Sequence, residues 1–336
     1  MSTRLLVILI LATSAALPGA AQQKRIPARA QPPHTARIEI HSFETTTLSD
    51  KEFLTGVREG KTARISGELR LPSGTGRFPA VILVHGSAGV GANVDQWAQE
   101  LNGIGVAAFI LDSFTGRGIV QTIADQSQLG NLTMIVDAYR ALELLSKHSR
   151  IDASRIAIMG FSKGGFAALY SSLTRFQQMH GRKNLEFAAY IPFYGRCETR
   201  FIDDEKLSNR PVRMFHGGAD DWVPVEPCQQ YAERLRRAGN DVQLTVYPAA
   251  RHAFDNPLFQ PEHRFPDAEV STRCHREERL RGEIFNLETG KPFTPQDACV
   301  TRGATVEFDS NAYGETLKAV KSFVTETLKP SRATSP

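Results

Sequence analysis

Apolar positions fall in two rhythms along this chain, and the change from one to the other predicts its architecture. Near the start, Arg37-Ile38-Glu39-Ile40-His41 and Ala63-Arg64-Ile65-Ser66-Gly67-Glu68-Leu69-Arg70-Leu71 alternate, as half-exposed antiparallel strands do. From Ala80 onward the strands are mostly unbroken apolar runs, the pattern of strands covered on both faces. They are Ala80 to Val84, Val106 to Leu111, Arg155 to Met159, Phe187 to Phe193, Val212 to Phe215 and Val242 to Val246. Between them apolar residues recur at helical spacing, first Val94, Trp97, Ala98 and Leu101, then Leu132, Ile135, Tyr139 and Leu142. Further helices are expected from the serine turn near 162 to about Phe176, around Cys228, Tyr231, Ala232 and Leu235, and from about Tyr313 to Leu328. Strand and helix in repeated alternation behind an antiparallel start predict an α/β fold, a mostly parallel sheet with helices on both faces.

Four stretches stand outside these rhythms. Met1 to Ala21 has Arg4, an apolar run from Leu5 to Leu17 and the small residues Gly19-Ala20-Ala21, which predicts a secretory signal peptide. The run is too short to span a bilayer, and no cysteine lies near the cleavage point to carry a lipid anchor. An exported protein, periplasmic or extracellular, without stable membrane insertion is therefore expected. Gln22 to Ala36 reads as a flexible lead-in, residues 37–329 as one domain and 330–336 as a tail. Inside that domain Asn256 to Asn311 is a polar insertion with many charges, several prolines and no sustained period.

Composition narrows the partners. The formal net charge of +4 is mild and the arginines are scattered without interleaved aromatics, which disfavours nucleic acid. Cys197, Cys228, Cys274 and Cys299 are an even set in a chain expected to be exported, so disulfides are predicted, and the absence of any C-x-x-C pair disfavours zinc. A long loop inside a compact domain needs a tie. Cys274 and Cys299 are placed to tie the insertion, which leaves Cys197 to pair with Cys228.

The candidate chemistry centres on Gly160-Phe161-Ser162-Lys163-Gly164, lying between an apolar strand and a helix. In a G-x-S-x-G turn the serine sits in strained geometry, raised above the sheet edge, and glycines remove the Cβ atoms that would collide with it. The following N–H, that of Lys163, is then aimed where an oxyanion forms. The end of strand Ala80 to Val84 offers a second donor, the N–H of Ser87. Serine alone is a weak nucleophile and needs a base held by an acid. His252 follows the strand Val242 to Val246 closely and is the expected base, whereas His263 and His275 fall in the insertion. The acid should follow strand Val212 to Phe215, where Asp220 and Asp221 compete. Gly86-Ser87-Ala88-Gly89-Val90-Gly91 has the wrong glycine spacing for a dinucleotide loop, and no G-K-[ST] order is present, so no organic cofactor or metal is implied. Trp222, Phe254 and Tyr194 are candidates to line an acyl pocket, and Arg117, Lys163 and Arg251 to favour an anionic substrate.

Over roughly Phe78 to His252 the chain resembles the dienelactone hydrolase family of α/β hydrolases. The resemblance is carried by Val84-His85-Gly86-Ser87-Ala88-Gly89, by Asp112-Ser113-Phe114 with Arg117-Gly118, and by Ile158 to Gly165. Gly217-Gly218-Ala219-Asp220 followed by Val223-Pro224, and Tyr247-Pro248-Ala249-Ala250-Arg251-His252, complete it. It implies the α/β-hydrolase fold and, from the aspartate of a G-x-x-D-x-x-V-P pattern, Asp220 as the acid. The best-known members are cytoplasmic and carry cysteine where this chain has Ser162. The expectation is thus an exported serine hydrolase acting on a small-molecule ester or lactone. The rivals are a peptidase or polymer-degrading esterase on the same fold, and an inactive binding protein.

Overall fold

The computed structural model describes residues 35–330. The expected signal peptide, residues 22–34 of the lead-in and residues 331–336 of the tail lie outside the described residues. In chain order the first elements are β1 (Thr35–Thr47), α1 (Asp50–Leu54), β2 (Lys61–Pro72), β3 (Phe78–Val84), α2 (Ala92–Asn102), β4 (Ala107–Asp112), α3 (Asn131–Ser146) and β5 (Ile151–Phe161). After the serine turn come α4 (Lys163–Tyr170), α5 (Thr174–His180), β6 (Tyr190–Phe193), β7 (Thr199–Arg200), β8 (Val212–Gly217), α6 (Glu226–Arg237) and β9 (Val242–Tyr247). The chain continues through β10 (His263–Val270), β11 (Arg276–Arg279), β12 (Glu283–Asn286), β13 (Lys291–Pro292), β14 (Thr301–Val306) and α7 (Ser310–Leu328).

Eight strands form one sheet in the order β1-β2-β4-β3-β5-β6-β8-β9. Pairing is antiparallel from β1 to β4 and parallel from there on, as the two rhythms predict. All seven residues of β3 are buried, which explains its unbroken apolar run. One apolar layer joins Phe53, Leu142 and Tyr170 on one face, and another joins Trp97, Leu101 and Val320 on the other. The parallel strands therefore deliver their carboxyl ends, and the loops that follow them, to one edge of the sheet.

Several elements differ from expectation. β1 begins at Thr35, inside the expected lead-in, and α1 is an additional helix. Its start is a capping box, with Ser49 Oγ accepting from the Glu52 N–H while Glu52 accepts from the Ser49 N–H. The helix expected to reach Phe176 breaks into α4 and α5. Ser171 and Ser172 stand at the break, their hydroxyls donating back to the carbonyls of Ala168 and Leu169, which competes with helical continuation. β6 begins at Tyr190 rather than Phe187, since Phe187 is apolar because it is buried and not because it is in the ladder.

The insertion is more ordered than its composition suggests. β10 pairs with β14, and β11, β12 and β13 form a second small sheet with β7. The period of β10 is broken at Pro266, which has no N–H to donate, and the register shifts between Phe265 and Glu269. All four residues of β11 are charged, and its buried member Glu278 is held by both terminal nitrogens of Arg175 at 2.6 Å. Cys274 bonds Cys299 across this segment, and Cys197 bonds Cys228, pinning the β6 loop to α6. No described helix is long and apolar enough to cross a membrane.

Candidate active site

Ser162 stands between β5 and α4 with φ 54° and ψ −111°, outside the regions an ordinary L-residue prefers. The two glycines make this turn possible. A Cβ on Gly160 would lie 2.0 Å from the carbonyl oxygen of Gly164, and one on Gly164 would lie 2.1 Å from that of Val84. Both obstacles are backbone and cannot swing aside.

Three loops at the same sheet edge converge on this serine. His252 Nε2 lies 2.9 Å from Ser162 Oγ, and His252 Nδ1 lies 2.7 Å from Asp220 Oδ2. With its proton on Nδ1 the imidazole donates to Asp220 and presents Nε2 to accept from the serine hydroxyl. The other oxygen of Asp220 accepts the N–H groups of Trp222 and Val223 at 3.0 and 2.8 Å. Burial alone would raise the Asp220 pKa, but the charge of His252 and hydrogen bonds from His216 and His252 outweigh it and hold it at about 2. Asp221, its competitor in the sequence, turns the other way and accepts the Thr305 N–H at 2.8 Å from β14.

The third loop, after β3, passes close to the serine. A Cβ on Gly86 would come within 3.3 Å of Ser162 Cβ, and Ser87, the next residue, lines the same cleft as Ser162. His85, unassigned by the sequence reasoning, braces this loop. Its Nδ1–H donates to the Gly86 carbonyl at 2.8 Å and its Nε2 accepts the Ser113 N–H at 3.2 Å. Burial lowers the His85 pKa, which keeps it in this neutral form. Gln126 braces Ser87 from outside, bonding its hydroxyl through both ends of the amide at 3.0 and 3.2 Å.

The Lys163 side chain is buried and does not line the serine's cleft, its Nζ donating to the Gln126 carbonyl and amide oxygens at 3.3 and 3.1 Å. Desolvation lowers its pKa to about 7, with the nearby charge of Arg196 acting in the same direction. Arg117 forks onto buried Asp137 at 2.8 and 2.9 Å, and Arg251 pairs with Glu262 and Glu307. None of these three cations lines the serine's cleft, so they give no support to an anionic substrate, and the side chains of Lys163 and Arg117 are buried rather than solvated. Tyr194 and Trp222 do line the cleft and flank the His252 ring at centroid distances of 4.7 and 5.0 Å. Phe254 does not; it is fully buried against Tyr194 and Tyr247. His263 and His275 are exposed and neither lines the cleft, although the His263 ring packs at a centroid distance of 4.5 Å on that of Phe265, which does.

Two features were not legible in advance. Asp255 is completely buried and accepts from Tyr194 Oη at 2.5 Å and Trp97 Nε1 at 2.8 Å, so it fixes one of the aromatics that flank His252. Phe259, Phe265 and Val306 from the insertion line the cleft, whose volume is about 70 Å³. Larger cavities of about 310 and 480 Å³ lie elsewhere and include neither Ser162 nor His252.

A mostly parallel sheet with a serine turn after β5, an acid after β8 and a histidine after β9 defines an α/β hydrolase. The dienelactone hydrolase family matches residues 65–275, and this chain belongs to it. It is 24% identical over 215 residues to a protein of Methylorubrum extorquens provisionally named carboxymethylenebutenolidase, covering 59% of this chain and 70% of the relative. It is 25% identical over 209 residues to a provisionally assigned 2-oxo-3-(5-oxofuran-2-ylidene)propanoate lactonase of Bradyrhizobium sp, covering 56% of this chain and 80% of the relative. The crystal structure of a dienelactone hydrolase-like promiscuous phosphotriesterase from metagenomic libraries shares the fold at a TM-score of 0.55 and 17% identity, covering 86% of this chain and 98% of that one. The chain is a hydrolase of the esterase and lactonase type.

Proposed function

We propose that the chain hydrolyses carboxylic esters or lactones through an acyl-enzyme on Ser162. The observation that carries this reading is the hydrogen-bonded series from Ser162 Oγ to His252 to Asp220, at 2.9 and 2.7 Å, on a strained strand-to-helix turn. Ser162 Oγ attacks the carbonyl carbon as His252 Nε2 takes its proton. Asp220 keeps the Nδ1 proton in place and stabilises the imidazolium. The N–H groups of Lys163 and Ser87 receive the oxyanion. As the tetrahedral intermediate collapses, His252 returns the proton to the departing alkoxide. Water then attacks the acyl group, again with His252 as base, and frees Ser162.

The two disulfides support an exported setting, because such bonds persist in oxidising compartments. Incubation of folded protein with a fluorophosphonate probe tests the mechanism. Labelling of Ser162, its loss in Ser162→Ala and parallel loss of ester hydrolysis are expected. An unlabelled native enzyme would refute the reading.

A further inference from the structure

The cleft above Ser162 is small and carries no fixed charge. Its wall is made by Ile123, Tyr194, Trp222, Phe259, Phe265 and Val306, and among its described lining residues there is no lysine, arginine, aspartate or glutamate. The cations nearest in sequence are committed elsewhere, Lys163 to Gln126 and Arg251 to Glu262 and Glu307. The volume of about 70 Å³ is roughly half of the ~150 Å³ in which an apolar cavity takes a benzene ring.

We infer that this enzyme selects uncharged esters with a short acyl group, of about two to four carbons, and that the insertion's Phe259 and Phe265 set the limit. The inference rests on the acyl-enzyme reading above and adds the substrate class. Size follows from the walls: a longer chain meets the ring of Phe265, which packs against Trp222 and Phe259 at centroid distances of 6.1 and 5.9 Å. Charge follows from chemistry, since a carboxylate brought into this cleft loses water and finds no cation in exchange, only the neutral amides of Asn93 and Asn256 and the Ser87 hydroxyl. A substrate carrying its own carboxylate, as the name carboxymethylenebutenolidase describes for the relative, lacks a counter-charge here.

The test uses p-nitrophenyl acetate, butanoate, octanoate and monosuccinate at pH 7.5, so that the leaving group is constant and succinyl differs from butanoyl by its carboxylate. A fall in kcat/KM of about tenfold or more from butanoate to octanoate is expected. Monosuccinate should fall about a hundredfold below butanoate. In the double variant Phe259→Ala, Phe265→Ala the octanoate-to-acetate ratio should rise about tenfold. In Phe259→Arg the monosuccinate-to-butanoate ratio should rise similarly. Fluorophosphonate titration of every variant counts folded, competent sites. Labelled wild-type enzyme that accepts octanoate or monosuccinate as readily as butanoate overturns the inference while leaving the mechanism standing. Unchanged ratios in labelled variants overturn the role of the two phenylalanines. An unlabelled wild type removes the mechanism and the inference together.

Discussion

Replacing Asp220 by asparagine changes one atom's chemistry at the end of the proposed proton path. Asp220 Oδ1 accepts two backbone N–H groups, from Trp222 and Val223. The amide of Asp220→Asn must therefore keep its oxygen there and turn its NH₂ toward His252 Nδ1. Two N–H donors cannot face each other at 2.7 Å, so the imidazole shifts its proton to Nε2, and Ser162 loses its acceptor. A wrong tautomer of this kind lowers kcat by about 10⁴-fold in a well-characterised serine protease, and a loss of that order is expected here. Stability falls as well. The Asp220 pKa drops from 3.8 to about 2 on folding, a stabilisation of roughly 2 kcal/mol. An acid with a depressed folded pKa gives this contribution in full above its unfolded value and loses it as pH falls through about 2. The variant should thus be less stable at pH 7 and show a flatter stability profile between pH 4 and about 2. The assay is kcat/KM on p-nitrophenyl acetate beside urea denaturation at several pH values. Activity within tenfold of wild type, or an equal loss in Asp221→Ala, would refute the reasoning, because the Asp221 carboxylate accepts from Thr305 of β14 and it is Asp220 that bonds His252.

Three other outcomes are expected. Gly164→Ala should fail to fold or lose more than about 3 kcal/mol in thermal denaturation, since its Cβ would sit 2.1 Å from the Val84 carbonyl oxygen. Paired replacement of Cys274 and Cys299 by serine opens a loop of ~26 residues and should cost about 3 kcal/mol by urea denaturation, while unreduced, denatured wild-type protein should give no reaction with a thiol reagent. Lys163 is a base whose folded pKa, about 7, lies below its ordinary 10.5, so the unfolded chain binds the extra proton between those values. Stability should therefore gain from rising pH by up to about 1.4 kcal/mol per unit across that window, and Lys163→Met should remove that gain; an unchanged slope would contradict it.

The parts of the fold that were legible in the sequence are those where burial repeats. β3 is apolar throughout because both faces are covered, and β2 alternates because one face is not. The serine turn was legible because its backbone tolerates only glycine at 160 and 164. The choice between Asp220 and Asp221 was not, since both are aspartates of one turn and only the direction each side chain takes separates them. Asp255 was invisible for a related reason. A carboxyl with zero exposure reads in sequence as a surface charge, and its partners Tyr194 and Trp97 come from elements far away in the chain.

The insertion illustrates how a stretch without period can still be structural. Its strands were hidden by Pro266 and by the four charges of β11, yet Ala268, Val270, Ala304 and Val306 pack into the same apolar layer as Trp97 and Phe193. It also reaches the chemistry from behind. β14 donates the Thr305 N–H to Asp221, Glu307 donates its N–H to the His252 carbonyl at 3.3 Å, and Trp222 Nε1 donates to the Glu269 carbonyl at 3.0 Å. The loops bearing Asp220 and His252 are thus tied to the segment that narrows the cleft. Loosening that segment should affect both the turnover of short esters and the exclusion of long ones. Altering only the rings of Phe259 and Phe265 should affect the exclusion first, because those two side chains line the cleft while the hydrogen bonds from the insertion to the Asp220 and His252 loops do not involve them.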